Sequence, residues 1–301
     1  MDISSIPIWR IIGHKYKWTK ERLDMAYRKI LTIQDISCVG QCSLTVALPI
    51  ISACGIETCV LPSAVLSTHT AGFSGYTFRD LTEDMPSIKE HWMKEGIQFD
   101  AIYTGYLGST KQIEYVEDIF NSTVAEGCVK IVDPAMADNG NLYPGFDQEF
   151  VEAMKGLCGK ADYIVPNITE ACFLTGMPYQ TEYDRAYVDA LLEKLMALGC
   201  KNIIFTGISY EEGKTGVVVF ENGEYSYYQH DKLPNSCHGT GDVYASAFVG
   251  AFMRGKSAYE AAKIAADYCV ECIKATANLD NHWYGAAFEP VLYKLIAAIN
   301  E

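Results

Sequence analysis

The stretch Asn-Ser-Cys-His-Gly-Thr-Gly-Asp-Val-Tyr-Ala-Ser-Ala-Phe, residues 235–248, is the most informative part of this chain. Its small residues lead directly into an apolar helix, and two glycines let the main chain approach a ligand closely. A helix N-terminus carries unpaired N–H groups and a partial positive charge, so the amides of Gly239, Thr240 and Gly241 predict an anion site. Asp242, in the first helical turn, can accept a proton from a hydroxyl that attacks a bound phosphoryl group. The structural alternative is an ordinary turn followed by an aspartate that complements the helix dipole.

Around this segment, apolar β-branched runs alternate with longer amphipathic runs. The predicted strands are Ile30–Gln34, Thr58–Leu61, Ala101–Thr104, Lys130–Val132, Tyr163–Val165 and Asn202–Phe205, with a hairpin of Gly216–Phe220 and Glu224–Gln229. The predicted helices are Ser43–Ala53, Asp84–Lys94, Lys111–Ala125, Gln148–Leu157, Ile168–Thr175, Arg185–Leu198, Asp242–Met253, Ala258–Ala275 and Pro290–Ile299. Apolar strands separated by helices predict an α/β fold, a mostly parallel sheet with helices on both faces. Ligands of such sheets bind at the carboxyl ends of the strands.

The domain organisation follows from a change in composition near residue 29. Residues 1–28 are basic, and we interpret them as an N-terminal extension that is either disordered or ahead of the true start, for which Met25 is the candidate. Residues 29–301 show no further break and predict a single domain. An excess of 14 acidic residues argues against a nucleic-acid partner or an anionic membrane surface.

The eleven cysteines are scattered and lack paired zinc spacing. They predict reduced thiols in a cytoplasmic protein, and no secretory signal is visible. Gly250–Ser257 matches the phosphate-binding pattern G-x-x-x-x-G-K-[ST], but a helix precedes it where that motif requires a strand. We therefore interpret it as a helix–turn–helix, with Ser257 and Glu260 capping the second helix.

Further motifs occur in the same order as in the ribokinase superfamily. The chain therefore resembles that superfamily, and its pyridoxal/pyridoxamine (vitamin B6) kinases in particular. Besides Gly-Thr-Gly-Asp, these motifs are Asn167-Ile168-Thr169-Glu170, Asp133-Pro134, Ile33-Gln34, Ser67-Thr68-His69-Thr70 and Gly105-Tyr106-Leu107-Gly108-Ser109. The resemblance covers about residues 29–290. It implies a ribokinase-like three-layer sandwich and ATP-dependent phosphorylation of the 5′-hydroxymethyl group of pyridoxamine, pyridoxal or pyridoxine.

The resemblance also implies a role for each matching residue. Asp242 would be the general base, and Gly239, Thr240 and Gly241 would form the anion hole for the transferred phosphoryl group. ATP would lie against Asp133, Asn167, Glu170 and Thr206, with Mg²⁺ held by Asp133 and Glu170. The vitamin would contact Asp35, Ser67, His69, Thr70, Tyr106 and Asp242. Relatives are commonly homodimers, and the need for a monovalent cation stays open.

Asp35 departs from the family pattern, which commonly has serine after Ile33-Gln34. A carboxylate there would favour a protonated ring nitrogen or the ammonium group of pyridoxamine. Three other functions stay open: a hydroxymethylpyrimidine (phosphate) kinase of thiamine synthesis, a non-catalytic vitamin or nucleotide binder and, least favoured, a P-loop ATPase. The pyrimidine kinases often have cysteine at the position of Asp242, so Asp242 and the Ser67–Thr70 block favour a B6 substrate.

Overall fold

The computed structural model describes residues 27–235 and 237–301. Its strands are β1 (Lys29–Ser37), β2 (Glu57–Leu66), β3 (Phe78–Asp80), β4 (Phe99–Thr104), β5 (Val124–Val132), β6 (Ala137–Asp138), β7 (Asn141–Leu142), β8 (Tyr163–Ile164), β9 (Asn202–Ile208), β10 (Lys214–Glu221) and β11 (Glu224–Asp231). Its α-helices are α1 (Leu44–Ala53), α2 (Met85–Lys94), α3 (Thr110–Ser122), α4 (Gln148–Cys158), α5 (Ile168–Thr175), α6 (Arg185–Ala197), α7 (Thr240–Met253), α8 (Ala258–Thr276) and α9 (Leu292–Asn300). Short 3₁₀ turns cover Thr82–Asp84 and Glu289–Val291.

Nine strands form one sheet in the order β11-β10-β9-β8-β5-β4-β1-β2-β3, and β6 pairs with β7 separately. The six strands from β9 to β2 in this order are mutually parallel. Antiparallel strands close both edges, with β10 and β11 at one edge and β3 at the other. The sheet is therefore mostly parallel, as the alternation of apolar strands and helices predicts.

The two faces of the sheet carry separate hydrophobic cores. Successive residues of β1 alternate between them: Ile30 packs in the core that includes α1, α7, α8 and α9 residues, and Leu31 in the core that includes α3 to α6 residues. Both side chains are fully buried. Because helices cover both faces, a parallel strand has no solvent-facing side, and this explains its unbroken apolar sequence. Helices on both faces of the sheet make the three-layer sandwich.

The predicted strands and helices all have counterparts in the structure, but several boundaries differ. The helix predicted to reach Ala125 ends at Ser122, and β5 begins at Val124, where a β-branched residue follows the last turn. Strand β2 continues through Pro62 to Leu66. Pro62 pairs with Gln34 of β1 next to a register shift between Gln34 and Ile36, and the outer strand β3 reaches only Ala64–Leu66; proline is tolerated at such an irregularity.

Two further expectations concern the N-terminal extension and the turn between two helices. The predicted extension 1–28 lies outside the described residues except for Tyr27 and Arg28. The helix–turn–helix interpretation of Gly250–Ser257 is confirmed, because α7 runs to Met253 and a capping box at Ser257 opens α8. Across residues 27–235 and 237–301, no helix combines the length and apolarity needed to cross a membrane.

Candidate active site

One cavity of about 700 Å³ lies at the carboxyl edge of the parallel strands. It receives residues from the ends of β1, β5 and β9, from the loops after β2 and β4, and from the N-termini of α5 and α7. Its lining includes Asp35, His69, Thr70, Tyr106, Asp133, Asn167, Glu170, Thr206, Gly239, Thr240, Gly241 and Asp242. The sheet topology therefore brings together all but one of the predicted site residues. Ser67 is the exception, since it is not among the lining residues and its hydroxyl accepts a hydrogen bond from the Thr77 N–H over 2.9 Å.

The predicted anion hole is the N-terminus of α7. Gly239 is the N-cap residue, with φ of +74° and without a side chain to cap the helix. A Cβ atom at this position would lie 1.8 Å from the carbonyl oxygen of Gln41, so both the left-handed conformation and the close packing require glycine. The first-turn amides have no acceptor within the helix, and they can donate to an anion in the cavity.

Asp242 lies in the first turn of α7 and lines the same cavity. Burial raises the pKa of its carboxyl to about 7, the Asp35 charge adds to this rise, and hydrogen bonding from the Ser43 main chain opposes it. A carboxylate with this pKa is a stronger base than an exposed aspartate and is still largely ionised just above neutral pH. These properties match those of a general base that takes a hydroxyl proton.

Asn167 and Glu170 open α5 with a capping box. The Asn167 side-chain oxygen accepts from the Glu170 N–H, and Glu170 Oε2 accepts from the Asn167 N–H, both over 2.9 Å. Glu170 Oε1 also accepts from the Met136 N–H over 3.2 Å, and the Asn167 amide donates to the Ala137 carbonyl. Glu170 is thus held rigidly at the cavity wall, where its side chain is almost fully buried. Thr206 in β9 lies beside Asn167, with which it forms an isolated bridge.

Asp133 follows the last residue of β5 and is also buried. Burial raises the pKa of Asp133 and of Glu170 well above the usual range; the Asp242 charge adds to the rise for Asp133, and the Asp133 charge to that for Glu170. Three carboxylates therefore face a cavity that would also receive phosphate groups. Their oxygen donors fit Mg²⁺, because a divalent cation offsets the repulsion among them. Among the described residues no group of three or more His, Cys, Asp or Glu side chains is arranged to hold a metal ion by itself.

Asp35 is a further carboxylate of the site, near Asp242, His69 and Tyr106. Its Oδ2 accepts from the Ser37 hydroxyl over 3.1 Å, and only 4% of the residue is exposed. Burial raises the pKa of the Asp35 carboxyl. Hydrogen bonding from Ser43 and Ser37 opposes this rise, as does the nearby His69. No Lys or Arg lies among the lining residues. A cationic ligand would therefore provide the missing counter-charge.

His69 and Tyr106 approach the cavity in different ways. Both ring nitrogens of His69 bond to main-chain groups, with Nε2 2.7 Å from the Tyr284 carbonyl and Nδ1 accepting from the Ala71 N–H. Its ring can offer a ligand its carbon edge or face, but not a free nitrogen. Tyr106 packs against Phe146 with ring centroids 5.3 Å apart, and burial raises the pKa of its hydroxyl to about 12. Its half-buried ring is suited to pack against a flat ligand.

Sequence reasoning missed Ser43, Cys42 and Tyr143, which also line the cavity. Ser43 has a φ of +54°, which is rare for a residue other than glycine, asparagine or aspartate. It is the N-cap residue of α1, without a side-chain capping bond, and its side chain and main chain lower the pKa of Asp35 and of Asp242 respectively. The residue pair Cys42-Ser43 does not predict this conformation, because the loop that joins β1 to α1 imposes it.

Comparison with known proteins gives the family. The family model described as phosphomethylpyrimidine kinase matches residues 48–287, most of the chain. This chain belongs to the phosphomethylpyrimidine kinase family. Its fold is that of the ribokinase-like kinases.

Solved structures and curated relatives from this family are similar over most of their length. A Bacteroides thetaiotaomicron protein, described as a candidate phosphomethylpyrimidine kinase and crystallised with pyridoxal, is 38% identical with a TM-score of 0.84; the match covers 89% of this chain and 96% of that one. Pyridoxal kinase from Lactobacillus plantarum is 31% identical with a TM-score of 0.82, covering 90% and 97%. Pyridoxal kinase of Dictyostelium discoideum is 25% identical over 74% of this chain and 77% of its own. The predicted resemblance to B6 kinases of the ribokinase superfamily is confirmed.

Proposed function

We propose that this chain transfers the γ-phosphoryl group of ATP to the 5′-hydroxymethyl group of a vitamin B6 compound. The observation that carries the proposal is Asp242: its carboxyl, with a pKa raised to about 7, stands in the first turn of a helix whose free amides face the same cavity. A base and an anion hole on one helical turn are what transfer of a phosphoryl group to an alcohol requires. Relatives named pyridoxal kinase support the substrate.

In this proposal each end of the cavity has its own ligand. ATP lies toward Asn167 and Thr206, and the vitamin ring lies between Tyr106 and the His69–Thr70 loop. Asp242 takes the hydroxyl proton while the oxygen attacks the γ-phosphorus, and the leaving ADP oxygen carries away the bond electrons. The amides of Gly239–Gly241 donate to the phosphoryl oxygens, on which charge is concentrated in the transition state.

Mg²⁺ is the cation that Asp133 and Glu170 would hold in this proposal, together with the phosphates of ATP. When bound, it neutralises charge on the β- and γ-phosphates. Both carboxylates are buried, and the capping box of α5 fixes Glu170 in place. Burial, and then the charge of a neighbouring carboxylate, raise the pKa of both groups, and a bound cation would favour their ionised forms.

The proposal also includes a cellular location and an oligomeric state. All eleven cysteines lie within the described residues and are free thiols, which supports a cytoplasmic location. The family resemblance supports a homodimer, which light scattering on the purified protein would test.

One product assay tests the proposed function against its two alternatives. The protein is incubated with Mg-ATP and pyridoxal, pyridoxine, pyridoxamine or hydroxymethylpyrimidine, and phosphorylated products are identified by mass spectrometry, with D242N as the matched inactive control. Monophosphates of one or more B6 compounds support the proposal. Phosphate transfer only to hydroxymethylpyrimidine supports the family's other activity, which the matching family model favours. Tight pyridoxal binding without any product would mean a non-catalytic binder.

A further inference from the structure

Four loops meet beside the predicted anion hole and pack tightly around Gln41. We call this arrangement the four-loop junction, made of residues 39–42, 69–71, 237–239 and 284–286. A Cβ atom on Gly239 would lie 1.8 Å from the Gln41 carbonyl oxygen, and one on Gly285 would lie 2.4 Å from the Gln41 Cβ. A Cβ atom on Gly40 would lie 2.1 Å from the ring of His69. The main chains are thus in direct contact, and a shift of one loop must displace the others.

His69 links two of these loops through its ring. Its Nε2 lies 2.7 Å from the Tyr284 carbonyl oxygen, and the Ala71 N–H donates to its Nδ1 over 3.2 Å. Because a carbonyl oxygen can only accept, the proton of the neutral ring is on Nε2. The Gln41 N–H donates to the same Tyr284 oxygen over 3.3 Å, and the His69 N–H donates to the Val39 carbonyl. The imidazole is almost fully buried, so these bonds are shielded from water.

The loop that contains Tyr284 continues to the anion hole. Two residues later, the Ala286 N–H donates to the His238 carbonyl over 3.0 Å. His238 directly precedes Gly239, the N-cap of α7. Consecutive hydrogen bonds and short main-chain segments therefore join the His69 ring to the first amide of the predicted anion hole.

We propose that His69 is a positioning residue for phosphoryl transfer. Through Tyr284 and Ala286, its Nε2–H fixes the main chain that presents the amides of Gly239–Gly241. The proposal rests on the proposed kinase function, because it assigns to His69 an effect on the anion hole rather than a bond to the vitamin. Both ring nitrogens are already used by main-chain groups, and this favours positioning over substrate binding. The substrate loop after β2 and the anion hole would then be ordered together.

Two variants, H69Q and H69N, distinguish the hydrogen bond at Nε2 of the His69 ring from the one at Nδ1. Glutamine can place an N–H near the position of Nε2 and reach the Tyr284 carbonyl, whereas asparagine reaches only the position of Nδ1. We expect H69N to lower kcat about 10²-fold, since small misplacements of catalytic groups have effects of this size. We expect H69Q to keep kcat at least about ten-fold above that of H69N, with KM for the vitamin changed less than about three-fold in both. His91 is exposed on α2, so H91N controls for the substitution itself.

Amide hydrogen exchange of the peptide containing Ala286 gives a readout that does not depend on activity. We expect faster exchange in H69N than in wild type, and exchange close to wild type in H69Q and H91N. A rise in KM alone, equal loss of kcat in H69N and H69Q, or unchanged exchange in H69N would each overturn the positioning role. A wild-type protein without kinase activity would instead refute the proposed function, and hydrogen exchange alone would then decide whether His69 orders the junction.

Discussion

Asn167 and Glu170 hold each other in place at the start of α5. The side chain of each accepts a hydrogen bond from the main-chain N–H of the other, both over 2.9 Å. A second capping box of the same kind joins Ser257 and Glu260 at the start of α8, but it is exposed and outside the cavity. The two boxes have the same local structure, but only Glu170 lines the cavity. Equivalent variants of the two glutamates therefore distinguish the helix-capping role of Glu170 from its role in the cavity.

E170Q and E260Q make the same chemical change in these two boxes. We expect E170Q to lower kcat/KM by at least about 10²-fold, because an amide does not supply the negative charge that a cation near the phosphates requires. E260Q should leave kcat/KM unchanged and lower the melting temperature only slightly. Steady-state kinetics and thermal unfolding of both variants check this. Equal activity in the two variants would show that Glu170 is only a helix cap.

D242N removes the predicted general base. We expect kcat to fall about 10²- to 10⁴-fold. In the wild type, kcat/KM should rise as pH increases through about 7, the pKa to which burial raises this carboxyl, because only the ionised form accepts a proton. The pH profile of initial rates checks this, with D189N on the exposed face of α6 as control. A wild-type rate independent of pH between 6 and 8 would argue against Asp242 as the base.

The same raised pKa predicts an effect of D242N on stability. The folded state binds this proton up to about pH 7, whereas the unfolded chain loses it near the usual pKa of about 4. The contribution of Asp242 to the free energy of unfolding is therefore fully present below pH 4 and decreases as pH rises toward 7. D242N has no ionisable carboxyl at this position, so it does not lose this contribution to the free energy of unfolding as the pH rises. We expect its melting temperature, relative to wild type, to be higher at pH 8 than at pH 4 when both are followed by circular dichroism.

We expect D133N to raise the stability of the protein and to impair its activity. Burial and the Asp242 charge raise the pKa of Asp133, so its ionised form destabilises the ligand-free protein at neutral pH. We expect D133N to melt at a higher temperature than wild type at pH 8 and to need more Mg²⁺ for half-maximal rate. Removal of divalent cations with EDTA should abolish wild-type activity. Titration of Mg²⁺ at fixed ATP tests both points, and an unaltered Mg²⁺ requirement in D133N would rule out a role in holding the ion.

D35S tests the preference for a cationic ligand. The Asp35 carboxylate is buried without a Lys or Arg among the cavity lining, so loss of its charge should mainly weaken binding of a positively charged substrate. We expect kcat/KM for pyridoxamine relative to pyridoxine to fall about ten-fold, the size of one hydrogen bond to a charged group. Competition assays with both compounds measure the ratio directly. S37A, which removes one hydrogen bond to Asp35 but keeps its charge, should retain the wild-type ratio.

K256A tests the rejected phosphate motif. Lys256 lies between α7 and α8, where Gly255 has φ of +91° and the capping box of α8 begins. We expect the KM for ATP to change less than about two-fold, because no strand leads into this turn. Nucleotide binding by wild type and variant, measured by calorimetry, gives an independent check. Loss of ATP binding in a folded K256A would reopen the P-loop interpretation.

Most of the architecture could be predicted from local patterns. Apolar strands such as Ala101–Thr104 are continuous because both sheet faces are covered, and helices such as Arg185–Ala197 show amphipathic spacing. Strand β3 could not be predicted, since its three residues are exposed and carry no pattern. The early start of β5 was missed as well, because a short turn after α3 is not visible in hydrophobic periodicity.

The candidate site residues could be predicted from the sequence because a phosphate-binding loop requires particular residues at particular positions. Gly239 must have a left-handed conformation and no side chain, and Asp242 must follow it in the first helical turn. Such requirements concern a few consecutive residues, so a motif records them. The order of motifs along the chain, together with parallel strands, also places their residues at one edge of the sheet.

Only the tertiary structure shows what each of these side chains is bonded to. The Ser67 hydroxyl bonds within its own loop, the ring nitrogens of His69 are used by main-chain groups, and Ser43 bridges to Ile36 at a positive φ. The physical reason is that the bond between His69 and Tyr284 joins segments far apart in sequence, and the raised pKa values of Asp133 and Glu170 likewise depend on distant segments. Burial and charge at a point depend on everything that packs around it, and no short motif contains that information.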